Sequence, residues 1–289
     1  MAIKEKGYAH WEGEPVQRKI TWWPITRTGI RLTFRKKFFK LLYSLTLVPA
    51  LVFLVGIYLS ERLDDFRLTI GESSELLRVN PAFFKTYLTN EFLMFMVAVI
   101  LVLAGAGLIA DDLKFNSLQL YFSRPIKKLD YFMGKASILV FYLFLLTLVP
   151  GLVLYIMKIV FSGSLDFVGK HPLLPLSIFG YSVLVTVFFS FYTLLLSSVS
   201  KNRRYVIILI VGIYFFSDIL FGIFYNIFRS PYFSLFSLKV NLQQIGAAFF
   251  GVKPVYDVPW LLSLAIVGVI CLFSGYVLMK KVEGVEIVK

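Results

Sequence analysis

Six long runs of uncharged, mostly apolar residues constrain this chain more than any other feature of its sequence. Each run has at least 19 residues, five of them hold no charged side chain, and the fifth run in chain order holds only one. At 1.5 Å per residue, a helix of this length crosses roughly the 30 Å hydrocarbon core of a bilayer. The runs cover residues 41–60, 92–110, 136–157, 173–200, 205–228 and 260–279. They predict an all-α polytopic membrane protein with six transmembrane helices.

Composition supports one membrane domain over the whole chain. Of the 289 residues, 58% are hydrophobic and 16% are charged, whereas a soluble domain carries about 25% charged residues. We predict a single transmembrane domain over residues 1–289, with an N-terminal segment (1–40), a six-helix bundle (41–279) and a short tail (280–289). The one cysteine, Cys271, excludes an internal disulfide.

Lysine and arginine are unevenly distributed between the connections. With the N-terminus in the cytoplasm, the inner segments carry 21 of these residues and the outer segments carry nine. Because short loops rich in lysine and arginine stay on the cytoplasmic side, this bias predicts that both termini and residues 111–135 are cytoplasmic. We therefore expect a multi-pass protein of a bacterial or archaeal plasma membrane, in contact with the lipid bilayer.

The N-terminal segment predicts a helix at the membrane surface. Arg27, Arg31 and Arg35 fall on one helical stripe beside apolar residues, and Trp22 and Trp23 precede them. Indoles and long cationic side chains are both favoured at the level of the lipid headgroups. A DNA-binding arm is the alternative, but the stripe continues into a membrane helix and its phenylalanines have no role in phosphate contact. We expect an interfacial helix and no nucleic-acid partner.

The interval from Asp111 to Lys135 is polar and basic and separates the second and third apolar runs. Its apolar residues recur at helical spacing on both sides of Pro125, which cannot continue a helix and moves Arg124 out of the helical region. The residues at this spacing are Leu118, Tyr121 and Phe122 before the proline and Leu129, Phe132 and Met133 after it. The pattern predicts a short helix, a break and a second short helix.

This interval also resembles the first cytoplasmic loop of ABC-2 type transporter permeases. The resemblance rests on the paired acids, the sequence Leu-Tyr-Phe-Ser-Arg-Pro-Ile, and the later Leu-Asp-Tyr and Gly-Lys. It implies a coupling helix that sits in a cleft of an ATPase subunit, and it implies that the N-terminal helix is the elbow helix of the family. The residues it assigns to ATPase coupling are Asp111, Asp112, Leu118, Tyr121, Phe122, Ser123, Arg124, Pro125 and Lys135.

Asp111 and Asp112 lie near the predicted C-terminal end of the second transmembrane helix. Negative charge opposes the helix macrodipole at that end. We therefore expect a basic group nearby, with Lys114, Arg124 or a residue of a partner protein as candidates.

Residues 229–259 contain a helical pattern that is too short to cross a bilayer. Leu238, Leu242, Ile245 and Phe249 recur at helical spacing, and the pattern ends at Phe250-Gly251. We predict a short helix at or dipping into the outer leaflet. It resembles the short re-entrant helix that ABC-2 permeases place between spans five and six.

The sequence motifs of an energy-coupled enzyme are absent from this chain. It contains no Gly-x4-Gly-Lys-Ser/Thr phosphate loop, no His-Glu-x-x-His and no Gly-x-Ser-x-Gly. His10 and His171 are predicted near opposite membrane faces and cannot share a metal ion. We therefore expect no catalytic residue, no metal site and no cofactor in this chain. Under the resemblance, ATP and Mg²⁺ bind to a separate ATPase subunit.

Asp218 is the one charged residue inside an apolar run and is a candidate pathway residue. A carboxylate there costs roughly 2.5–3.5 kcal/mol and must face protein or water. It either handles an ion or a cargo group, or makes a structural hydrogen bond to Ser217, Asn226 or a neighbouring helix. For an ion-handling role, the runs offer no second ionisable partner.

The sequence therefore predicts the membrane subunit of an ABC-2 type exporter. Two copies, or one copy and a related permease, would form the pathway, because symmetric dimers are the commonest oligomers. Two alternatives stay open: an ATP-independent ion-coupled transporter or channel that uses Asp218, and a non-transporting membrane scaffold. The sequence does not identify the transported substrate.

Overall fold

The structure is a computed structural model that describes residues 20–62, 79–122 and 126–286. Every regular element in these ranges is a helix. The α-helices are α1 (Trp23–Phe34), α2 (Lys37–Leu45), α3 (Val48–Arg62), α4 (Pro81–Leu88), α5 (Glu91–Ile100), α6 (Gly107–Lys114), α7 (Ser117–Phe122), α8 (Lys128–Leu146), α9 (Leu148–Ser162), α10 (Asp166–Lys170), α11 (Leu174–Val199), α12 (Arg203–Phe228), α13 (Leu238–Phe249) and α14 (Trp260–Glu286). A π-helical turn, Leu101–Gly105, joins α5 to α6, and a 3-10 helix, Pro231–Phe236, precedes α13.

Six helical stretches are long and apolar enough to cross a membrane, which confirms the predicted number. Spans 1 to 6 cover Lys37–Glu61, Pro81–Lys114, Lys128–Ser162, Leu174–Val199, Arg203–Phe228 and Trp260–Lys281. Five of the six extend past the apolar runs, because polar residues at their ends continue the backbone hydrogen bonding of the helix. We call the end of the bundle with residues 115–127 and 200–202 the basic end, and the opposite end the far end.

Spans 2, 3 and 4 form the centre of the bundle. The most apolar stretches of these spans are 61%, 50% and 67% buried, against 28%, 22% and 22% for spans 1, 5 and 6. Large apolar side chains remain exposed on every span, and most of all on spans 1, 5 and 6, where lipid or another protein must cover them.

Helix α1 packs across the beginning of span 3. The Thr26 hydroxyl donates to the carbonyl oxygen of Gly134 at 3.0 Å. A Cβ atom on Gly134 would lie 2.8 Å from Cβ of Ile25, and one on Gly29 would lie 2.1 Å from Cδ1 of Ile138. Two glycines thus permit the close approach of the two helices. The three arginines of the predicted stripe, Arg27, Arg31 and Arg35, are exposed.

Span 2 contains a π-helical turn at Leu101–Gly105, which the small residues Ala106 and Gly107 follow. The Ser197 hydroxyl donates to the carbonyl of Ala106 and accepts from the amides of Ile109 and Ala110, at 2.9–3.1 Å. The Arg203 guanidinium donates to the carbonyl of Leu103 at 3.2 Å. A π turn disrupts the regular backbone bonding of a helix, and spans 4 and 5 here supply the missing partners.

Span 3 is interrupted near Pro150. Helix α8 ends at Leu146 and α9 begins at Leu148. Because Pro150 has no N–H, the carbonyl of Leu146 loses its normal intrahelical partner, and the buried Tyr87 hydroxyl donates to it at 3.2 Å. Pro150 therefore causes the break, and the hydrogen bond from Tyr87 replaces the backbone hydrogen bond that the proline removes.

The prediction of a second short helix after Pro125 is wrong. Leu129, Phe132 and Met133 belong to the first turns of α8, which continues through span 3. The Asp130 side chain accepts from the Lys127 amide at 3.3 Å and begins the helix there. No further helix-breaking residue occurs between these apolar residues and Leu146, so the helix continues to that point.

The short helix predicted between spans 5 and 6 is present as α13 with the predicted bounds. Ser237 accepts from the amide of Val240 at its beginning, and Gly251, at φ 62°, allows the turn that follows it. Leu242 and Ile245 are fully buried against the bundle. At 12 residues it is about 18 Å long, too short to cross a bilayer.

Gly105 should be one of the positions in span 2 least tolerant of a larger residue. A Cβ atom there would lie 2.3 Å from Cγ2 of Thr193, so we expect Gly105→Ala to lower the free energy of unfolding by about 1–3 kcal/mol through overpacking. Thermal unfolding of the detergent-purified protein measures the loss. Thr193→Ser removes the clashing methyl group and should restore much of the stability in the double variant.

The matched control is Gly212→Ala in α12, where an added Cβ meets nothing within 4 Å. Equal stability of the Gly105→Ala and Gly212→Ala variants would contradict close packing at the π turn.

Candidate functional site

Four side chains from three helices meet at the basic end of the bundle. Asp112 lies in the last turns of α6, Tyr121 lies on α7, and Tyr131 and Lys135 lie one turn apart on α8. We call these four residues the Asp112 cluster. Three of them, Asp112, Tyr121 and Lys135, are residues that the sequence assigns to ATPase coupling.

A buried ion pair lies at the centre of the cluster. Lys135 Nζ is 2.6 Å from Asp112 Oδ2, and the Tyr131 hydroxyl donates to the same oxygen at 2.6 Å. The Lys135 and Asp112 side chains are 9% and 14% exposed. The ammonium group offsets the negative charge that Asp112 adds to the C-terminal end of α6. Lys135, which is not among the candidates named from the sequence, is therefore a compensating cation for Asp112; Arg124 lies outside the described residues.

Aromatic contacts tie α7 to the ion pair. The Tyr121 and Tyr131 rings meet edge to face with centroids 5.2 Å apart, and Lys135 Nζ lies 5.6 Å and 5.5 Å from the two centroids. Cation–π contacts of this kind strengthen when they are shielded from water. Burial and the nearby Asp112 carboxylate raise the pKa of Tyr121, so its hydroxyl keeps its proton at neutral pH.

The remaining predicted coupling residues divide into three groups. Leu118 is 3% exposed and faces the bundle, where it holds α7 in place. Phe122 is the last residue of α7, and its side chain lies outside the described residues, as do Ser123, Arg124 and Pro125. Asp111 lines a groove of about 830 Å³ between α1, span 2, α7 and span 3, which Lys36, Thr33 and Arg203 also line.

Two large apolar side chains are exposed on α7 and the turn before it, beside the exposed polar residues Asn116 and Gln119. Leu120 is 71% exposed, and Phe115, in the turn before α7, is 69% exposed. Asn116 follows with φ 52°, a left-handed conformation that asparagine tolerates. Two large apolar side chains are thus presented in a loop that connects two spans, beyond the lipid-facing surfaces of the helices.

A second charged cluster lies towards the far end of the bundle. Lys239 Nζ, in the first turn of α13, is 2.5 Å from Glu91 Oε1 and 3.9 Å from Asp218 Oδ2. The Ser237 hydroxyl donates to Asp218 Oδ1 at 2.9 Å. Asp218 thus has an ionisable neighbour, Lys239, which lies on α13 and outside the six apolar runs.

The hydrogen bond expected for Asp218 is made by a neighbouring helix. Neither of the two residues named from the sequence provides it: Ser217 accepts from the amide of Leu238, and Asn226 donates to the carbonyl of Gly222. Its partner Ser237 is 19 residues further along the chain, at the start of α13. This arrangement supports a structural role for Asp218 in holding α13 against span 5.

Sequence reasoning missed Tyr131, Lys239 and a third ion pair, Lys158 with Glu61. Of these, Tyr131 could have been inferred from the sequence, because it lies four residues before Lys135 and residues at that spacing share one face of a helix. The other pairs join residues that are 97 and 148 positions apart, so no local pattern could have indicated them.

Comparison with protein families agrees with this architecture. The family described as ABC-2 family transporter protein matches residues 6–283, which is nearly the whole chain. The chain belongs to the ABC-2 transporter family. It is a transmembrane permease subunit by this membership. No curated protein shows a significant match to it.

The described part of this ABC-2 permease shows no metal centre. Among residues 20–62, 79–122 and 126–286, no group of three or more His, Cys, Asp or Glu side chains could hold a metal ion. The Asp112 cluster itself has one carboxylate, one ammonium and two phenols, which suits electrostatic attachment of α7 rather than bond-breaking chemistry.

The Asp112–Lys135 pair should be energetically coupled. Lys135→Met or Asp112→Asn alone leaves the other group buried without its counter-charge, so we expect each to lower the free energy of unfolding by roughly 3 kcal/mol. The double variant should lose clearly less than the sum of the two, because it leaves no uncompensated charge. Thermal unfolding in detergent provides the measurement.

Asp111→Asn serves as the matched control, since Asp111 is the adjacent carboxylate outside the pair. Strictly additive losses in the double variant would show that the two groups are not energetically coupled.

Proposed function

We propose that this ABC-2 permease forms the membrane pathway of an exporter as a dimer, and that a separate ATPase subunit drives it through α7. The basic end would then face the cytoplasm, in agreement with the excess of lysine and arginine there. The observation that carries the proposal is that α7 presents exposed apolar side chains outward while the Asp112 cluster fixes it to two spans.

The exposed residues of α7 and its preceding turn suit a docking surface. Phe115 and Leu120 would enter a cleft of the ATPase, and exposed aromatic and aliphatic groups of this kind often dominate the energy of an interface. Leu118, Asp112 and Lys135 are buried within the chain. Their part in coupling would therefore be to transmit a movement of α7 rather than to contact the ATPase.

The geometry supports a route for that movement. A displacement of α7 would act through Tyr121 on Asp112 at the end of span 2 and on Lys135 at the start of span 3. Both spans are interrupted further along, span 2 at Leu101–Gly105 and span 3 at Thr147. These interruptions would let the ends next to α7 tilt relative to the rest of each span when ATP closes the ATPase dimer.

A second permease copy would complete the pathway. Spans 1, 5 and 6 leave most of their apolar surface uncovered, which supports contact with lipid and with a second copy. ATP and Mg²⁺ would bind to the ATPase, since this chain has no phosphate loop.

Removing the apolar groups of the docking surface should weaken recovery of the ATPase. We expect Phe115→Ser/Leu120→Ser to lower the amount of a subunit with a phosphate-loop motif that co-purifies from native membranes by about tenfold or more, because interface hot spots contribute at least about 2 kcal/mol. Mass spectrometry and an ATPase assay of the eluate measure the effect.

Val255→Ser is the matched control, since Val255 is 56% exposed at the far end. Unchanged recovery in the double variant would reject α7 as the docking surface. Transport without any ATPase, lost in Asp218→Asn, would support the ion-coupled alternative instead.

Tyr121 should affect coupling more than binding. Tyr121→Ala removes the ring that contacts Tyr131 and Lys135 but leaves Phe115 and Leu120 in place. We expect the ATPase still to co-purify, while stimulation of its activity by the permease falls several-fold. Tyr121→Phe retains the ring and should behave like the native protein. Full stimulation in the alanine variant would exclude Tyr121 from the route.

A further inference from the structure

Helix α1 and the first turn of α2 carry a concentration of positive charge without counter-charges. Residues 20–60 contain six lysine and arginine residues and no aspartate or glutamate. All six side chains are exposed, and no ion pair within the described ranges involves any of them. They are Arg27, Arg31, Arg35, Lys36, Lys37 and Lys40. Since like charges at this spacing repel one another, an anionic partner from outside the chain would stabilise the segment.

Three of the six cations form a stripe along one side of α1. Arg27, Arg31 and Arg35 follow one another at intervals of four residues, so they share a helix face and extend over about 12 Å of its length. Arg35 directly follows α1 and keeps helical backbone angles. The buried residues of the helix, Thr26 and Thr33, lie on another side. The packing of α1 on span 3 therefore leaves the arginine stripe free to contact a ligand.

The position of α1 places these cations at the edge of the bilayer core. Residues 41–60 of span 1 hold no charge, and their length matches the core thickness of roughly 30 Å, so Lys40 and the cations before it lie at its boundary. On span 3, α1 is hydrogen-bonded to Gly134, two residues before the apolar run of that span begins. Trp23 is exposed four residues before Arg27 and suits the same level. The cations thus lie beside the lipid headgroups.

Headgroup charge decides which lipids suit this surface. A zwitterionic headgroup carries its own ammonium group beside the phosphate, and the six cations repel that group. An anionic headgroup offers a phosphate without a compensating cation, and a guanidinium group can bind phosphate oxygens through two parallel hydrogen bonds. Each lysine or arginine near an anionic bilayer surface strengthens attachment by about fivefold. The segment therefore favours anionic over zwitterionic lipids.

We propose that α1 and the first turn of α2 bind anionic phospholipids of the adjacent leaflet, so that the permease selects lipids by headgroup charge at its basic end. A lipid suits the surface better than an acidic protein does, because the exposed side chains of Phe38 and Leu41 stand between these cations and acyl chains would cover them. This surface does not depend on how the permease is driven, because it consists of α1 and α2 alone. With the basic end in the cytoplasm, it faces the leaflet that carries the negative surface potential.

Native mass spectrometry of the delipidated full chain, with any co-purifying subunits, tests the proposal. The probes are phosphatidylglycerol and phosphatidylcholine with identical acyl chains. We expect the native protein to prefer phosphatidylglycerol, and Arg27→Gln/Arg31→Gln/Arg35→Gln to lower that preference by about tenfold or more. Arg27→Lys/Arg31→Lys/Arg35→Lys keeps the charge and should keep most of the preference. Equal binding of the two lipids by the native protein overturns the proposal, as does an unchanged preference in the glutamine variant.

The matched control is Lys170→Gln/Arg229→Gln/Lys253→Gln, which removes the same charge from three separate exposed positions at the far end. We expect this variant to keep the preference for phosphatidylglycerol. An equal loss in the control would mean that net charge alone is responsible and would reject α1 as the site.

Two further measurements keep the test decisive if the glutamine variant does not fold. The preference of the native protein should fall as ionic strength rises, because salt screens exposed charges, and a salt-independent preference overturns the proposal. Inorganic phosphate is the soluble form of the recognised group. Displacement of phosphatidylglycerol by an equal concentration of phosphate rejects a lipid ligand, and failure to displace it supports one. In a glutamine variant that folds, loss of a co-purifying ATPase with an unchanged lipid preference assigns the arginines to a protein partner instead.

Discussion

Backbone N–H and C=O groups inside a bilayer must find partners within the protein, and the whole bundle depends on this requirement. Regular helices satisfy it in most of the chain. Where span 2 changes to a π turn, Ser197 and Arg203 bond the carbonyls of Ala106 and Leu103 from spans 4 and 5. Where Pro150 interrupts span 3, Tyr87 of span 2 bonds the carbonyl of Leu146. The interruptions of spans 2 and 3 are thus also places where the spans are joined to one another.

Charged groups follow a related rule. A charge removed from water needs a counter-charge, and among the described residues three largely buried lysines have one: Lys135 pairs with Asp112, Lys158 with Glu61, and Lys239 with Glu91 and Asp218. The first lies at the basic end and the other two lie towards the far end, so the ends of the bundle are joined electrostatically while its middle is apolar. At the basic end, the pair joins span 2 to span 3, and Tyr121 attaches α7 to it through its contacts with Tyr131 and Lys135.

Local patterns were sufficient to predict much of this fold. The six spans follow from the length of the apolar runs, and the bounds of α13 follow from helical spacing that ends at Phe250-Gly251. The interruption in span 3 follows from Pro150. The prediction failed after Pro125, because a short amphipathic pattern does not reveal whether a helix stops or continues into the next span. The first turns of α8 look the same in either case.

The sequence by itself determined the number of spans, the helical character of α7 and α13, and the family of this chain, because each depends on residues that are near one another or on a motif. Only the tertiary structure decided which groups meet. Lys135 compensates Asp112, and Ser237 and Lys239 reach Asp218. Such contacts depend on how helices distant in sequence pack, and side-chain volume and hydrogen bonding settle that packing once the helices are together.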